Sequence, residues 1–240
     1  MPPSTPAAES RPEMLGASTD ASITISGQAM RASKPARPVG GLSKLLLDRC
    51  AAAMLLLLLA PLFVVVMLLI RRDGGAALFR HQRIGFNGRM FGCMKFRTMT
   101  SDADKALERV LAHDPAAAAE WHATQKLRRD PRVTGVGRFL RMSSLDELPQ
   151  LVNVLRGDMS LVGPRLIVRA EVARYGREFQ QYCRARPGLT GLWQVSGRSD
   201  TSYAERVMLD VDYVANYSFW RDTTILCKTI PAVVMRKGAI

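Results

Sequence analysis

The sequence predicts an α+β fold: a mostly helical monotopic membrane protein with one Pro-kinked, re-entrant membrane helix and a small β-hairpin or sheet. Three observations predict it: one long apolar run at 51–70, helical patterns over most of the chain after it, and only short, scattered strand patterns. The 240 residues are 48% hydrophobic and 23% charged, as in ordinary globular chains. This composition excludes a wholly disordered chain, a collagen and a polytopic transporter.

Residues 1–38 predict a disordered tail, because they are rich in Pro, Ala, Ser and Thr and hold almost no large apolar side chains. The tail has four basic and three acidic residues, so +12 of the net charge of +13 belongs to residues 39–240. A basic body predicts an anionic partner, which is nucleic acid, a phosphate-rich ligand or an anionic membrane face. The four widely spaced cysteines favour a reducing compartment.

Residues 39–73 are predicted as the membrane segment. Twenty consecutive apolar residues, interrupted only by Pro61, make a helix of about 30 Å, the thickness of the hydrocarbon core of a bilayer. Basic residues flank both ends, and such residues mark the cytoplasmic side. With a proline kink at the middle, these flanks suggest a re-entrant helix. A tilted spanning helix with a tolerated proline remains open on physical grounds.

Residues 74–240 are predicted as a mostly helical soluble domain with short strands. Ser101 and Asp104 form a capping-box pattern at the start of one predicted helix, and Gly157 ends another. The predicted helices are Ser101–Arg128, Gln150–Leu155, Ile167–Tyr182, Tyr203–Tyr217 and Thr223–Met235. The predicted strands are Ala77–Arg80, Met90–Phe96 and Gly191–Val195.

Residues 83–98 have the pattern of a basic hairpin. Asn87-Gly88 is a hairpin turn signal, and the flanking strands carry basic residues at Arg83, Arg89, Lys95 and Arg97. Such a hairpin either binds phosphate beside the membrane or is a solvated hairpin that only touches lipid headgroups. Without further context the pattern favours the second interpretation.

Asp146 and Glu147 are adjacent carboxylates beside Arg141, near the predicted start of a helix. Free backbone N–H groups and the helix dipole favour anions there and would lower the pKa of a carboxyl group. An ionised aspartate so placed can serve as a nucleophile or a Mg²⁺ ligand. The structural alternative is a capping box formed by Ser144 and Glu147. Pro149 weakens it, because proline at the first helical position would leave the pair in the preceding turn.

Two glycine-rich segments follow. Gly163-Pro164 predicts a turn that could present backbone N–H groups and the Arg165 guanidinium to a phosphate. Residues 186–198 contain three glycines, a proline and two arginines around a short apolar stretch. This second segment is either a nucleotide-binding loop or a structural corner, and the pattern alone does not decide between them.

Four motifs occur in one order behind the apolar segment: KFRTM at 95–99, SLDELPQL at 144–151, GDMSLVGPR at 157–165 and RPGLTGLWQVSGR at 186–198. Together they resemble the bacterial sugar transferase family, the monotopic phosphoglycosyl transferases, over about residues 40–240. The late segment resembles the short, exopolysaccharide-initiating members most. Leu166 departs from the family pattern, which usually has a second proline after the arginine.

The resemblance implies a reaction in which a UDP-hexose, galactose ahead of glucose, gives hexose-1-phosphate to undecaprenyl phosphate, with Mg²⁺ as cofactor and UMP leaving. It implies that Asp146 is the nucleophile and forms a covalent phosphosugar, that Glu147 is a metal ligand or base, and that both hold the Mg²⁺. It also implies that residues 74–240 are a cytosolic catalytic domain, with its active site at the cytoplasmic face of the bacterial inner membrane, at the first step of exopolysaccharide assembly. The implied phosphate- and substrate-binding residues are Lys95, Arg97, Arg141, Arg165, Gln194 and Arg198, and the membrane break is at Ala60 and Pro61.

A rival hypothesis is a membrane-tethered, non-catalytic binding or scaffold protein that places its basic surface on anionic lipid or nucleic acid. Its binding would fall steeply with salt and would not depend on Asp146. The transferase hypothesis expects no nucleic-acid partner and leaves homo-oligomerisation open.

Overall fold

The structure is a computed structural model that describes residues 37–234 except 73, 125–126 and 198–200. Within them the chain is mostly helical, with two small sheets, which confirms the predicted α+β class. Most of the predicted tail, residues 1–36, lies outside the described residues. The helices are α1 (Gly41–Arg71), α2 (Ala103–His113), α3 (Pro115–Thr124), α4 (Gly135–Met142), α5 (Gln150–Arg156), α6 (Val172–Tyr175), α7 (Phe179–Tyr182), α8 (Leu192–Val195), α9 (Tyr203–Ala215) and α10 (Phe219–Val234). The strands are β1 (Leu78–Ile84), β2 (Met90–Phe96), β3 (Ser160–Val162) and β4 (Gly188–Thr190).

The apolar run forms α1, a helix of 31 residues and therefore about 46 Å long. It is long and apolar enough to cross a membrane, and little of its apolar run is buried. The helix continues through Pro61, so the chain does not reverse there. Its start and its end nevertheless contact the same body: the Val39 N–H donates to the Arg184 carbonyl at 2.9 Å, and Ile70 packs in one cluster with Phe96. A monotopic arrangement requires both ends of α1 to contact the same domain, because a spanning helix would place its two ends on opposite sides of the membrane.

A buried polar network holds the first turns of α1 against the body. The Lys44 ammonium pairs with the Asp222 carboxylate of α10 and lies 3.7 Å from Asp48. The Ser160 hydroxyl of β3 donates to Asp48 at 2.6 Å, and the Tyr213 hydroxyl of α9 donates to Asp222 at 2.7 Å. Each buried charge therefore has a partner, as burial demands.

The predicted hairpin is confirmed. Strands β1 and β2 pair antiparallel, from Leu78 opposite Phe96 to Ile84 opposite Met90. The turn between them uses the left-handed conformation at Asn87 (φ 56°) and Gly88 (φ 71°), as the Asn-Gly signal predicts.

Asn153 joins α5 to the hairpin. This fully buried side chain accepts the Met94 N–H at 2.9 Å and donates to the Gly92 carbonyl at 2.9 Å. Helix α5 is thereby fixed beside β2, which carries Lys95.

The second sheet explains the glycines of the last two motifs. Strands β3 and β4 run parallel, with Ser160 opposite Gly188. A Cβ at Gly188 would lie 2.2 Å from the Gly163 nitrogen, and one at Gly191 would lie 2.1 Å from the Gly163 carbonyl oxygen. Gly188 and Gly191 therefore have a structural role at this corner, and whether the segment also binds a nucleotide stays a prediction.

The predicted strand Gly191–Val195 is wrong. The strand is Gly188–Thr190 instead, and Leu192–Val195 forms the short helix α8. Gly188 allows the close approach to β3, whereas Leu192 and Val195 pack against the main core cluster as part of a helical turn.

The predicted helix Ser101–Arg128 is two helices, α2 and α3, and Gln125 and Lys126 lie outside the described residues. Proline donates no N–H, and the Asp114 carboxylate accepts the N–H groups of Ala116 and Ala117 at 2.9 and 3.0 Å, so the chain restarts as a capped helix. Asp102, and not Ser101, is at the N-cap of α2.

The other predicted helices are partly or largely confirmed. Ile167–Tyr182 is broken into short turns, with Gly176 at φ 52°. Gly157 ends α5 in the left-handed conformation, as predicted. Helix α9 begins with a capping box at Ser202, and α10 contains Pro231 within its described range. Helix α4, capped by Thr134, is absent from the prediction.

Candidate active site

Asp146 and Glu147 lie in a 3₁₀ turn, Leu145–Glu147, between α4 and α5. Ser144 adopts the left-handed conformation (φ 56°) and turns the chain out of α4, and its side chain caps nothing. The capping-box alternative is therefore wrong. The expectation that Pro149 leaves the pair in the turn before the helix is confirmed, since Pro149 is the N-cap of α5.

Lys95 of β2 faces both carboxylates. Its Nζ lies 2.5 Å from Glu147 Oε1 and 3.7 Å from Asp146 Oδ2. The Asp146 side chain is 14% exposed and that of Glu147 38%, so Asp146 is the recessed member of the pair. The three groups form what we call the acid–lysine cluster.

The protonation tendencies of this cluster differ from the sequence expectation. Burial raises the pKa of Asp146, and Glu147 raises it further, while Lys95 and Arg141 act in the opposite direction. The predicted lowering is wrong in direction, because the carboxylate is withdrawn from water and α5 begins only at Gln150. Burial also disfavours the charged form of Lys95, but Glu147 and Asp146 outweigh it and raise the pKa of the ammonium.

Of the two predicted arginines near this cluster in the sequence, Arg141 acts on Asp146, whereas Arg97 points away from the cluster. Arg141 is exposed on α4, and its Nε donates to the Thr98 hydroxyl at 2.9 Å. Arg97 points to the end of α1, where its Nη2 donates to the Ile70 carbonyl at 3.1 Å. A Cβ at Gly75 would lie 1.6 Å from the Arg97 Nη1, so glycine leaves the room that this guanidinium occupies.

Arg165 belongs to a second group, the arginine–aromatic cluster. Its Nη1 pairs with Glu171 at 2.9 Å, and its guanidinium lies 5.5 Å from the Trp193 ring centroid and 5.9 Å from that of Tyr203. The Arg165 backbone N–H donates to the fully buried Asp210 at 3.0 Å. Asp210 also accepts the Tyr175 hydroxyl at 2.7 Å.

One backbone N–H group of the predicted phosphate-binding turn already makes a hydrogen bond within the protein. The Gly163 N–H donates to the Thr190 carbonyl at 3.0 Å, so it is not available to a phosphate as the turn pattern suggested. Gln194 lies on α8 beside Trp193. Arg198 lies outside the described residues.

The structure therefore brings Lys95, Asp146 and Glu147 together, with the charge of Arg141 acting on Asp146. It places Arg165 in the arginine–aromatic cluster and directs Arg97 to the end of α1. The positive charge of Arg83 on β1 favours the charged form of Glu171, the partner of Arg165, and so lowers its pKa.

Sequence reasoning missed the partners of Arg165. Glu171 is six residues away and Asp210 forty-five, and no motif spacing links either of them to Arg165.

The described residues include no group of three or more His, Cys, Asp or Glu side chains that could hold a metal. Asp146 and Glu147 supply two carboxylates that converge on one cation, the Lys95 ammonium. Mg²⁺ is commonly bound by one or two carboxylates together with substrate phosphates. The residues therefore fit a Mg²⁺ site that a phosphate substrate completes.

The fold and this cluster agree with the comparisons with known proteins. The family model described as "Bacterial sugar transferase" matches residues 39–236. The chain belongs to the bacterial sugar transferase family.

Individual relatives have more specific names. The chain is 54% identical to "UDP-galactose-lipid carrier transferase" of Erwinia amylovora over 164 residues, which are 68% of this chain and 34% of that protein. It is 52% identical to "Exopolysaccharide production protein ExoY" of Sinorhizobium fredii over 204 residues, 85% of this chain and 90% of that protein. It is 54% identical to "Undecaprenyl-phosphate galactose phosphotransferase" of Salmonella typhimurium over 163 residues, 68% of this chain and 34% of that protein. The match thus spans about a third of two of these relatives and most of the third.

Proposed function

We propose that the protein is a phosphoglycosyl transferase that moves hexose-1-phosphate from a UDP-hexose to undecaprenyl phosphate. In the first step an Asp146 carboxylate oxygen attacks the phosphorus that bears the sugar, and the bond from that phosphorus to the oxygen of UMP breaks. In the second step an oxygen of the lipid phosphate attacks the same phosphorus and releases the Asp146 carboxylate. The products are UMP and a polyprenyl diphosphate-linked hexose.

The observation that carries the proposal is the recessed Asp146, 3.7 Å from Lys95 and next to Glu147. Its neighbour Leu145 packs in the same apolar cluster as Ile70, near the end of the apolar helix. A nucleophile that forms a covalent intermediate needs an ionised oxygen held in place, and the Lys95 ammonium favours that form. Arg141 and Lys95 together supply positive charge for the phosphoryl oxygens, and phosphoryl transfer depends largely on such positioning and neutralisation.

Asp146 and Glu147 would hold Mg²⁺ when it is bound. The ion would neutralise charge on the diphosphate of the donor. Lys95 and Arg141 contribute to donor binding independently of the metal ion. The net charge of +12 on residues 39–240 attracts both anionic substrates.

The names of the relatives support the donor and the acceptor. Two of them name galactose, and one of these names undecaprenyl phosphate, so UDP-galactose is the preferred donor, ahead of UDP-glucose. The relative matched over most of its length is named for exopolysaccharide production. A lipid acceptor and a nucleotide sugar meet at the cytoplasmic face of the inner membrane, where we place the active site, at the first step of exopolysaccharide assembly.

The test is UMP release from a panel of UDP-galactose, UDP-glucose and UDP-N-acetyl sugars, with and without undecaprenyl phosphate and Mg²⁺. UMP release from a UDP-hexose supports the proposal if undecaprenyl phosphate increases that release. Asp146→Asn should abolish UMP release, because the proposed nucleophile is lost. Asp104→Asn is the matched control, since Asp104 is exposed on α2. Absence of UMP under all conditions, with binding to anionic vesicles that falls with salt, would favour the non-catalytic rival.

A further inference from the structure

We propose that the face of β1 beside Lys95 binds the hexose of the UDP-hexose donor, with Phe79 packing against the sugar ring and His81 hydrogen-bonding its hydroxyl groups. This inference rests on the proposed function and adds to it the residues that contact the sugar. Neither residue belongs to the four motifs that resemble the family.

The pairing of the hairpin places both side chains on the face that carries Lys95. Phe79 lies directly opposite Lys95, and His81 lies opposite Cys93. Side chains directly opposite each other share a face, with Cβ atoms about 5 Å apart, and residues two apart along a strand share that face as well. Since the Lys95 ammonium contacts both carboxylates of the acid–lysine cluster, Phe79 and His81 border this cluster.

The rings of Phe79 and His81 form an aromatic pair. Their centroids are 6.2 Å apart, and the angle between their planes is 22°. Phe79 is 54% exposed, so much of its ring is accessible to a ligand. One face of a hexopyranose ring presents mostly C–H groups, and such a face packs against an aromatic ring.

The imidazole of His81 is suited to hydroxyl groups. Burial lowers the pKa of His81, and the positive charges of Arg83 and Lys95 lower it further. A neutral imidazole has one N–H donor and one acceptor nitrogen, which matches sugar hydroxyls because each of them both donates and accepts. No hydrogen bond joins this imidazole to any residue that the structure describes.

The proposed reaction brings the hexose to this face. The sugar is bonded directly to the phosphorus that Asp146 attacks, whereas the uridine is separated from it by a second phosphate. A phosphate held between Asp146 and Lys95 therefore leaves its sugar beside the side chains that border Lys95. Phe79 is the residue of β1 directly opposite Lys95.

The alternation of side chains along β1 supplies matched controls. Leu78 and Gln82 are exposed neighbours on the opposite face of the same strand. We would compare Phe79→Ala with Leu78→Ala and His81→Ala with Gln82→Ala. For each variant the KM of the UDP-hexose donor is measured, together with the inhibition constant of UDP, which has the uridine and both phosphates but no hexose.

Phe79→Ala and His81→Ala should each raise the KM of the donor about five- to tenfold, the loss of one aromatic contact or one neutral hydrogen bond. The inhibition constant of UDP should remain that of the wild type, and both neighbour variants should match the wild type in both measurements. Equal rises in the KM and in the inhibition constant would overturn the inference. A loss of binding to anionic vesicles by Phe79→Ala, with an unchanged donor KM, would also overturn it and assign this face to lipid headgroups.

A binding measurement separates this inference from the proposed function. Calorimetry in the Asp146→Asn background, where no covalent step can follow, compares the affinities for UDP-galactose and UDP with and without Phe79→Ala. If Phe79→Ala weakens binding of UDP-galactose but not of UDP, while the wild type releases no UMP, the transferase function fails and the hexose site stands. If the wild type releases UMP and Phe79→Ala changes neither the donor KM nor the affinity for UDP-galactose, the function stands and the inference fails.

Discussion

At the scale of single residues, the account depends on a carboxylate withdrawn from water and held beside an ammonium. Asp146 is 14% exposed and 3.7 Å from Lys95. Its more exposed neighbour Glu147 makes the shorter contact with Lys95, 2.5 Å. Lys95 is thereby held mainly by Glu147, and this leaves Asp146 the freer nucleophile.

Replacement of the lysine should slow the first half-reaction without unfolding the protein. We expect Lys95→Met to lower the rate of UMP release about 10²–10³-fold, because a donor that stabilises the developing charge at a reacting group is worth this much. The measurement is single-turnover UMP release, with Lys105→Met on exposed α2 as the control. A Lys95→Met rate close to that of Lys105→Met would contradict the role given to this ammonium.

The buried Asp210 should make the stability of the protein depend on pH. Burial raises the pKa of this carboxyl group to about 6, although Tyr175 and the Arg165 N–H favour its charged form. Its protonated form is therefore favoured by folding. The stabilisation is complete below the pKa of the unfolded chain, about 4, and is lost as the pH rises through about 6.

The wild type should thus lose up to about 3 kcal/mol of unfolding free energy between pH 4 and pH 7 relative to Asp210→Asn, whose side chain does not titrate. Chemical unfolding of both proteins in the same detergent, at several pH values, measures this difference. If the difference in unfolding free energy between the wild type and Asp210→Asn stayed constant with pH, Asp210 would not titrate in the folded protein within this range.

At the scale of secondary-structure elements, the hairpin and α5 could be predicted and the parallel pair β3–β4 could not. The hairpin has a local signal, Asn87-Gly88, and α5 has a glycine at its end. Strands β3 and β4 are three residues each and lie far apart in the chain, so neither has a measurable periodicity.

The turn that holds Asp146 and Glu147 could also be predicted from the sequence. The local sequence pattern gave no sign that burial would raise the pKa of Asp146.

The close packing of β3 and β4 predicts that alanine substitutions at two different glycines have very different effects on stability. Gly188→Ala should destabilise the protein by about 2–4 kcal/mol, because the new Cβ would meet backbone atoms that cannot move aside. Gly135→Ala, where nothing lies within 4 Å of the new Cβ, should be neutral or stabilising by up to about 1 kcal/mol, since alanine favours the helix. Melting temperatures of both variants give the comparison, and similar values would contradict the packing described for β3 and β4.

The docking of α1 on the body depends on its buried ion network. Lys44→Met should cost about 3 kcal/mol or more, because it leaves the carboxylates of Asp48 and Asp222 buried together without their cation. Asp222→Asn added to Lys44→Met should recover part of this loss. Unfolding free energies of the two single variants and the double variant measure the coupling, and simple additivity would indicate that the pair does not interact.

At the scale of the whole molecule, both ends of α1 contact the same body, so both should face the same compartment. In a protein whose four cysteines are replaced by alanine, Ser43→Cys and Gln82→Cys, both exposed, should react with a membrane-impermeant maleimide from the same side of sealed vesicles. Leu57→Cys, at a position 81% exposed in the apolar run, should stay unlabelled in the bilayer. Labelling of Ser43→Cys and Gln82→Cys from opposite sides would mean that the helix spans.

The central proposal is the covalent phosphosugar on Asp146, and the most direct test is the mass of the intact protein after incubation with its UDP-hexose and Mg²⁺ in the absence of acceptor. We predict a gain equal to one hexose phosphate less one water molecule, located on the peptide that contains Asp146 and removed when undecaprenyl phosphate is added. UMP release that requires the lipid, with no gain in mass at any time, would contradict the account and indicate direct transfer between the two substrates.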